Sequence, residues 1–372
     1  MAPRILILTA SVGEGHDAPA RRLACQLQVE RPDIEVITED CLPHMGRTVS
    51  TLSESGARVV FFRFLWLWDV GFWVFAGFAM TRRVTQWMLT RFGSRGLLRL
   101  ISDRKPDIIV SVYPHATEVL GRMRRNGRLH IPLCAVITDL AALRYWASPG
   151  ADLHLVTHPE SIEEVRSIAG EDNPVHCVSG FTEPEFLVPR EVYEARQALK
   201  LDPGAKIVLV SGGGWGVGDV EGAVREVLEV KGVDQVVCLC GRNEELRDQL
   251  ARDFDGDRRV RAEGFTDDMP DWLAAADALV HSTGGLTVLE ALMRGCPAIS
   301  YGWGRGHVRI NNHAFKRFGL AQVAATPAAL RDAVATALES GRTAIDFSDL
   351  PSAASFVLAE VEPRVPETVH AA

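Results

Sequence analysis

Positive charge is in short supply in this chain of 372 residues: 40 Lys and Arg stand against 48 Asp and Glu, giving a formal net charge of -8 and a pI near 5.8. A general attraction to nucleic acid is thereby excluded, and any grip on phosphate has to be local. Paired-cysteine motifs are also lacking. Cys25, Cys41, Cys134, Cys177, Cys238, Cys240 and Cys296 are odd in number, contain no CxxC pair and fall mostly in apolar, strand-like runs. This argues against a zinc ribbon or a disulfide scaffold and for buried thiols in a reducing compartment. There is no low-complexity tract and no short-period repeat, which excludes a repeat array. The start, with Arg4 followed directly by Ile5-Leu6-Ile7-Leu8, reads as a first strand rather than a signal peptide. What remains is ordinary globular material, 47% hydrophobic and 24% charged, in a length that suits two domains.

Apolar runs of strand length alternate with helical patterns. They lie at Ile5 to Thr9, Ile34 to Thr38, Ile108 to Val112, Leu133 to Thr138 and Leu153 to Thr157. The series restarts with Ile207 to Ser211, Val236 to Cys240, Arg259 to Ala262, Ala278 to His281 and Ala298 to Tyr301. Continuous apolar strands predict parallel sheets covered on both faces, so the expected fold class is α/β with two Rossmann-like, doubly wound domains and a cleft between them. The expected division is 1–185, 186–340 and a tail 341–372, with Glu183 to Pro203 as connector and Ser352 to Val361 as a helix packing back on the first domain.

Within the first domain, residues 59–105 break the pattern. Val59 to Met80 is long enough to span a bilayer but is interrupted by Arg63 and Asp69. Arg82, Arg83, Arg91, Arg95, Arg99, Arg104 and Lys105 follow. Aromatic residues beside clustered arginines suit a helix in a lipid headgroup region; a buried hairpin and a true transmembrane span are the alternatives.

Two glycine-rich regions carry candidate chemistry. Ser11 to Ala18, containing Gly13, Gly15 and His16, lies between the first strand and a helix expected to begin near Pro19, and satisfies G-x-G-x-x-A. With Glu39 or Asp40 as a ribose-binding acid, this pattern keeps a nicotinamide-dependent oxidoreductase open. The second half is richer. Ser211-Gly212-Gly213-Gly214 ends one strand without a P-loop lysine, Cys240-Gly241-Arg242-Asn243 ends the next, and Gly264-Phe265 ends a third. His281-Ser282-Thr283-Gly284-Gly285-Leu286-Thr287, followed by Glu290, predicts a helix whose N-terminus faces phosphates, with Thr287 in its first turn and Glu290 placed to hold ribose hydroxyls. Asp253-Phe254-Asp255-Gly256-Asp257 imitates a metal-binding D-x-D, but reads as a solvated turn; no metal or other cofactor is required.

These motifs, together with Thr138-Asp139, Trp146 and Pro149-Gly150, make the sequence similar over nearly its whole length to the GT-B glycosyltransferases that include MurG and, more closely, to the monogalactosyldiacylglycerol synthase and processive diacylglycerol glucosyltransferase group. The resemblance implies a UDP-sugar donor and inverting transfer to a lipid or other amphiphilic hydroxyl acceptor, at the cytoplasmic face of a membrane. It implies a diphosphate lined by Gly212, Gly213, Gly214, Ser282, Thr283, Gly284, Gly285 and Thr287. Uracil would be flanked by Arg242 and Phe265, ribose held by Glu290, and sugar hydroxyls approached by Asn311 and Asn312. His16 and Asp139 would face the acceptor as catalytic groups. The sequence departs from the lipid-modifying relatives at Leu143 and Arg144, where they usually carry a histidine, and in the loop from Gly302 to His307. A soluble natural-product acceptor and nucleotide-sugar epimerisation are the remaining alternatives.

Overall fold

Where apolar residues run without interruption, both faces of a strand must be covered, and here helices cover them. The computed structural model describes residues 2–11, 14–46, 79–141, 144–282, 284–302, 307–347 and 349–361. The candidates Val12, Gly13, Leu143 and Thr283, segment 59–78, positions 303–306 and the tail after 361 lie outside them.

The first sheet is parallel and six-stranded. Its strands are β1 (Arg4–Thr9), β2 (Glu35–Asp40), β3 (Ile108–Ser111), β4 (Leu133–Ile137), β5 (Leu153–Val156) and β6 (Val175–Cys177), in the order β2-β1-β3-β4-β5-β6. The second is also six-stranded, in the order β12-β11-β10-β7-β8-β9, from β7 (Ile207–Ser211), β8 (Gln235–Leu239), β9 (Val260–Glu263), β10 (Ala278–His281), β11 (Ala298–Tyr301) and β12 (Gln322–Ala324). Order reverses between β1 and β3 and between β7 and β10, and ligands of open parallel sheets bind beyond the carboxyl ends at such switch points.

Three expectations are corrected. The helix after β1, α1 (Glu14–Glu30), starts five residues before Pro19, so Gly15 and His16 stand in its first turn. The stretch from Glu183 to Pro203 is no free connector. Phe186, Ala195, Leu199 and Leu201 lie in one core with Ile207 and Leu209, and α6 (Val192–Ala198) packs on α9 (Met269–Ala275). Each sheet has a sixth strand, β6 or β12, of three residues.

The chain crosses between the domains twice. Phe181 belongs to the first core and Phe186 to the second. On the return, Ile345 N donates to Leu292 O at 3.0 Å, and Ser179 N donates to Pro351 O at 3.0 Å. Helix α13 (Ala353–Val361) then buries Ala353, Ala354 and Val357 with Ile5, Leu23 and Leu27 of the first domain.

The remaining helices named below are α2 (Cys41–His44), α3 (Ala79–Arg104), α4 (Pro114–Arg125), α10 (Gly285–Met293) and α11 (His307–Phe318). In α3 the C-terminal half is the anchored half. Leu97, Leu100 and Ile101 are buried, and a Cβ on Gly96 would lie 1.7 Å from His44 O, so a glycine is needed where α3 crosses α2. Met80, Val84, Trp87, Met88 and Phe92 form an exposed stripe along its N-terminal half. Among the described residues, no helix is long and apolar enough to cross a membrane.

Candidate active site

The carboxyl ends of the two sheets face one another. From the first sheet come α1, the loop after β4 and the residues after β3 and β5; from the second come the turns after β7 and β8 and the N-termini of α10 and α11. The loop after β4 reaches deepest: Leu140 and Ala141 are buried in the core of the second domain, while Leu286 of α10 packs against the core of the first.

Pro19 has no N–H, so it cannot take up the Gly15 carbonyl four residues back in α1. That carbonyl instead accepts from Thr138 Oγ1 at 3.4 Å. His16 is set by Val112. The ring Nδ1 lies 2.9 Å from Val112 O, and because a carbonyl can only accept, Nδ1 carries the hydrogen and Nε2 keeps the basic lone pair. Tyr113 meets the imidazole edge-on, with ring centroids 5.2 Å apart, and its hydroxyl lies 3.1 Å from His115 Nδ1. Burial, and then the nearby His16, push His115 down to about 4, so at neutral pH it adds no charge beside His16.

Asp139 is joined to the other domain. Asn311 Nδ2 donates to Asp139 Oδ1 at 2.7 Å, and Asn311 Oδ1 accepts from Ala141 N at 3.1 Å. Gly285 is needed here for closeness, and Gly284 leaves little room beside it. A Cβ on Gly285 would stand 2.6 Å from Thr138 O, and one on Gly284 3.1 Å from Asp139 Oδ1. With Gly284 as its cap, α10 has no side chain of its own closing its N-terminus, and its amides face the cleft. His158, buried beyond β5, makes a backbone hydrogen bond with Gly285; desolvation lowers it to about 4, which keeps it neutral.

On the wall formed by the second sheet, Gly213 takes φ 68° and Gly216 φ 61°, and Val217 N closes the turn on Gly212 O at 2.9 Å. Ser282 Oγ donates to Val217 O, tying this turn to the one before α10. The Arg242 guanidinium lies 3.9 Å over the Phe265 ring, and its amide donates to Gly214 O at 2.9 Å.

Two residues expected at the sugar and ribose have other contacts. Asn312 is buried, its Oδ1 accepting from Ser300 Oγ at 2.7 Å, so it faces β11 while Asn311 faces the cleft. Glu290 is 8% exposed and lies 3.9 Å from Arg22, which also pairs with Glu183. Burial is the main reason its pKa rises to about 7; Arg22 opposes the rise and Glu183 adds to it. Thr287 lies in the first turn of α10. Tyr113, His115, His158 and Glu14 were missed by motif reading. Each lies just beyond the carboxyl end of a strand, the rule that located the glycine turns; Tyr113, His115 and His158 have no glycine beside them, and Glu14 stood inside the Ser11 to Ala18 motif without a role of its own.

Acids expected elsewhere are engaged. Asp40 accepts from Leu42 N at 2.9 Å as the cap of α2, and Glu39 pairs with Arg104. Asp257 pairs with Arg259 at 2.8 Å and Asp253 with Arg225 at 3.7 Å. All seven cysteines are free thiols, five of them buried.

Residues 62–178 match the family described as monogalactosyldiacylglycerol (MGDG) synthase, and residues 207–340 match glycosyl transferases group 1. The chain is a glycosyltransferase of the GT-B fold. Over 325 residues this glycosyltransferase is 25% identical to the processive diacylglycerol β-glucosyltransferase of Staphylococcus carnosus, covering 87% of this chain and 81% of that one. The Staphylococcus aureus (strain MRSA252) enzyme of the same name is 24% identical over 326 residues, covering 87% of this chain and 82% of its own. Among solved structures, Acinetobacter baumannii MurG superposes with a TM-score of 0.54 at 16% identity, covering 97% of this glycosyltransferase and 99% of its own chain. SnogD from Streptomyces nogalater gives 0.56 at 16% identity, covering 97% and 100%. A Listeria monocytogenes protein described as a putative UDP-N-acetylglucosamine 2-epimerase gives 0.57 at 13%, covering 96% and 95%, and shares the fold alone.

Proposed function

We propose that this glycosyltransferase moves a hexose from a UDP-sugar to the hydroxyl of a diacylglycerol-like lipid, inverting the anomeric carbon, while resting peripherally on the cytoplasmic face of a membrane. The observation that carries the reading is the opposition of His16 and Asp139, on one wall of the cleft, to the glycine turns and the α10 N-terminus on the other. His16 Nε2 takes the proton of the acceptor hydroxyl as its oxygen attacks the anomeric carbon, and the bond from that carbon to the diphosphate breaks on the opposite face. Charge growing on the departing UDP is met by backbone amides and the positive end of α10. Asn311 orients Asp139 and lies where sugar hydroxyls would enter. Arg242 and Phe265 offer a cation and a ring for the uracil, and Glu290 a carboxylate for the ribose. The names of the Staphylococcus relatives support a diacylglycerol acceptor.

The test is direct. The purified chain, given UDP-glucose or UDP-galactose with dispersed diacylglycerol, is expected to release UDP and form glycosyl-diacylglycerol. Transfer only to a soluble hydroxylated acceptor would refute the lipid assignment, and absence of UDP release with every acceptor would refute the donor assignment.

Membrane seating is supported by the stripe Met80, Val84, Trp87, Met88 and Phe92, flanked by exposed Arg83, Arg91 and Arg95. Beside it, a cavity of about 660 Å3 is lined by His44, Phe92, Arg99 and Arg104 among others. Apolar side chains with arginines around them suit the headgroup region of an anionic bilayer. A Trp87→Ser/Phe92→Ser double variant is expected to lose most of its co-sedimentation with vesicles containing phosphatidylglycerol while binding UDP as the wild type does. Unchanged co-sedimentation would remove this stripe from the membrane contact.

A further inference from the structure

Glu14 opens α1 at the cleft, directly before Gly15 and His16, and the transfer chemistry asks for no carboxylate there. Its Oε2 accepts from Arg21 of the same domain at 2.9 Å, and its Oε1 accepts from Arg242 of the other. Its side chain runs against the glycine turn after β7: a Cβ on Gly214 would lie 2.7 Å from Glu14 Cγ. Arg242 is held from three directions, by its amide on Gly214 O, by Phe265 beneath its guanidinium and by Glu14 at its tip.

Two consequences follow from this geometry. A planar base placed between Arg242 and Phe265 needs about 7 Å, two contact distances, whereas the guanidinium stands 3.9 Å from the ring centroid; Arg242 therefore has to lift off Phe265 for a base to enter. The anion holding Arg242 down lies against the turn where a diphosphate is expected, so the two negative charges compete for one cation. Burial disfavours ionisation of Glu14, but hydrogen bonds and charge from Arg21 and Arg242 prevail and hold it below the ordinary carboxylate range. It is an anion at neutral pH.

We propose that Glu14 is an internal competitor of the donor's diphosphate, holding Arg242 across the cleft on Phe265 and yielding it when a nucleoside diphosphate enters, so that this one carboxylate sets donor affinity. The proposal rests on the UDP-sugar reading above and deepens it.

Calorimetric titration of the whole chain with UDP separates the two ideas. Glu14→Gln keeps the size of the side chain and removes its charge; it is expected to bind UDP about two- to fivefold more tightly than the wild type, the range spanned by a partly exposed ion pair. Glu14→Asn, expected to shift affinity in the same direction, replaces it should Glu14→Gln fail to fold as judged by its melting curve. Equal or weaker UDP affinity in the folded variant, with a wild type that binds, overturns the role of Glu14 and leaves the donor reading standing. A wild type that does not bind UDP overturns both.

Discussion

His16→Ala is expected to lower kcat by about 10^2- to 10^4-fold, the usual contribution of a positioned general base, with KM for the UDP-sugar nearly unchanged. The split follows from the geometry. His16 belongs to the first domain, and the groups offered to the donor come from the second. The Val112 carbonyl fixes the tautomer, so a neutral imidazole presents Nε2 ready to accept a proton; an imidazolium cannot. Steady-state kinetics with wild type and variant would check the split. A loss below tenfold would move the base to Asp139, whose Oδ1 accepts from Asn311 at 2.7 Å.

The second large effect concerns stability. Glu290→Gln is expected to leave the melting temperature nearly unchanged near pH 4.5 and to raise it progressively up to and beyond pH 7. The carboxyl titrates in the ordinary glutamate range, at about 4.5, when unfolded and at about 7 when folded. Between those values the folded chain holds a proton that the unfolded chain has released, so stability falls as pH rises through that window. Above it, the ionised wild type carries the full penalty of the buried charge, about 3 kcal/mol at one pKa unit per 1.36 kcal/mol; glutamine never ionises and carries none. Loss of the 3.9 Å contact with Arg22 reduces the gain without reversing it, because Arg22 also pairs with Glu183. Melting curves across pH decide the matter, and a variant less stable than wild type at pH 8 would mean that the Arg22 pairing outweighs desolvation. The same substitution should weaken UDP binding if Glu290 holds the ribose.

Much of the frame was legible because its signal is local. Runs such as Ile207-Val208-Leu209-Val210 have no polar position to expose, so they can only be central strands, and their carboxyl ends marked where the glycine turns would meet a ligand. The edges were harder. Val175–Cys177 and Gln322–Ala324 have three residues each and include half-exposed positions, which leaves no apolar run to read. Pro19 misled because proline favours the first turn of a helix, yet here it sits in the sixth position, where the carbonyl it frees accepts from Thr138.

Within the site, the residues were readable and their partners were not. Asn311 and Asp139 are 172 residues apart, and nothing local in either predicts the pairing. Neighbouring helix positions differ by about 100°, so the adjacent asparagines of α11 could not both face the cleft; which one does is set by Ser300 on β11. Glu290 was readable as a carboxylate near a helix start. Its burial against Arg22 depends on how the two domains meet, and no motif records that.

The two passages between the domains lie side by side, joined where Ser179 meets Pro351 and Ala353. A body attached by one strand can swivel in any direction, whereas one attached by two adjacent strands turns about the line through both. Opening the cleft is thereby reduced to something like a door on a pair of hinge pins: the jaws part along a single arc, and groups that separate on opening return to the same register on closing. Were the cleft to open, His16 and the glycine turns of the second sheet would be drawn apart and brought back into alignment by the path of the chain itself.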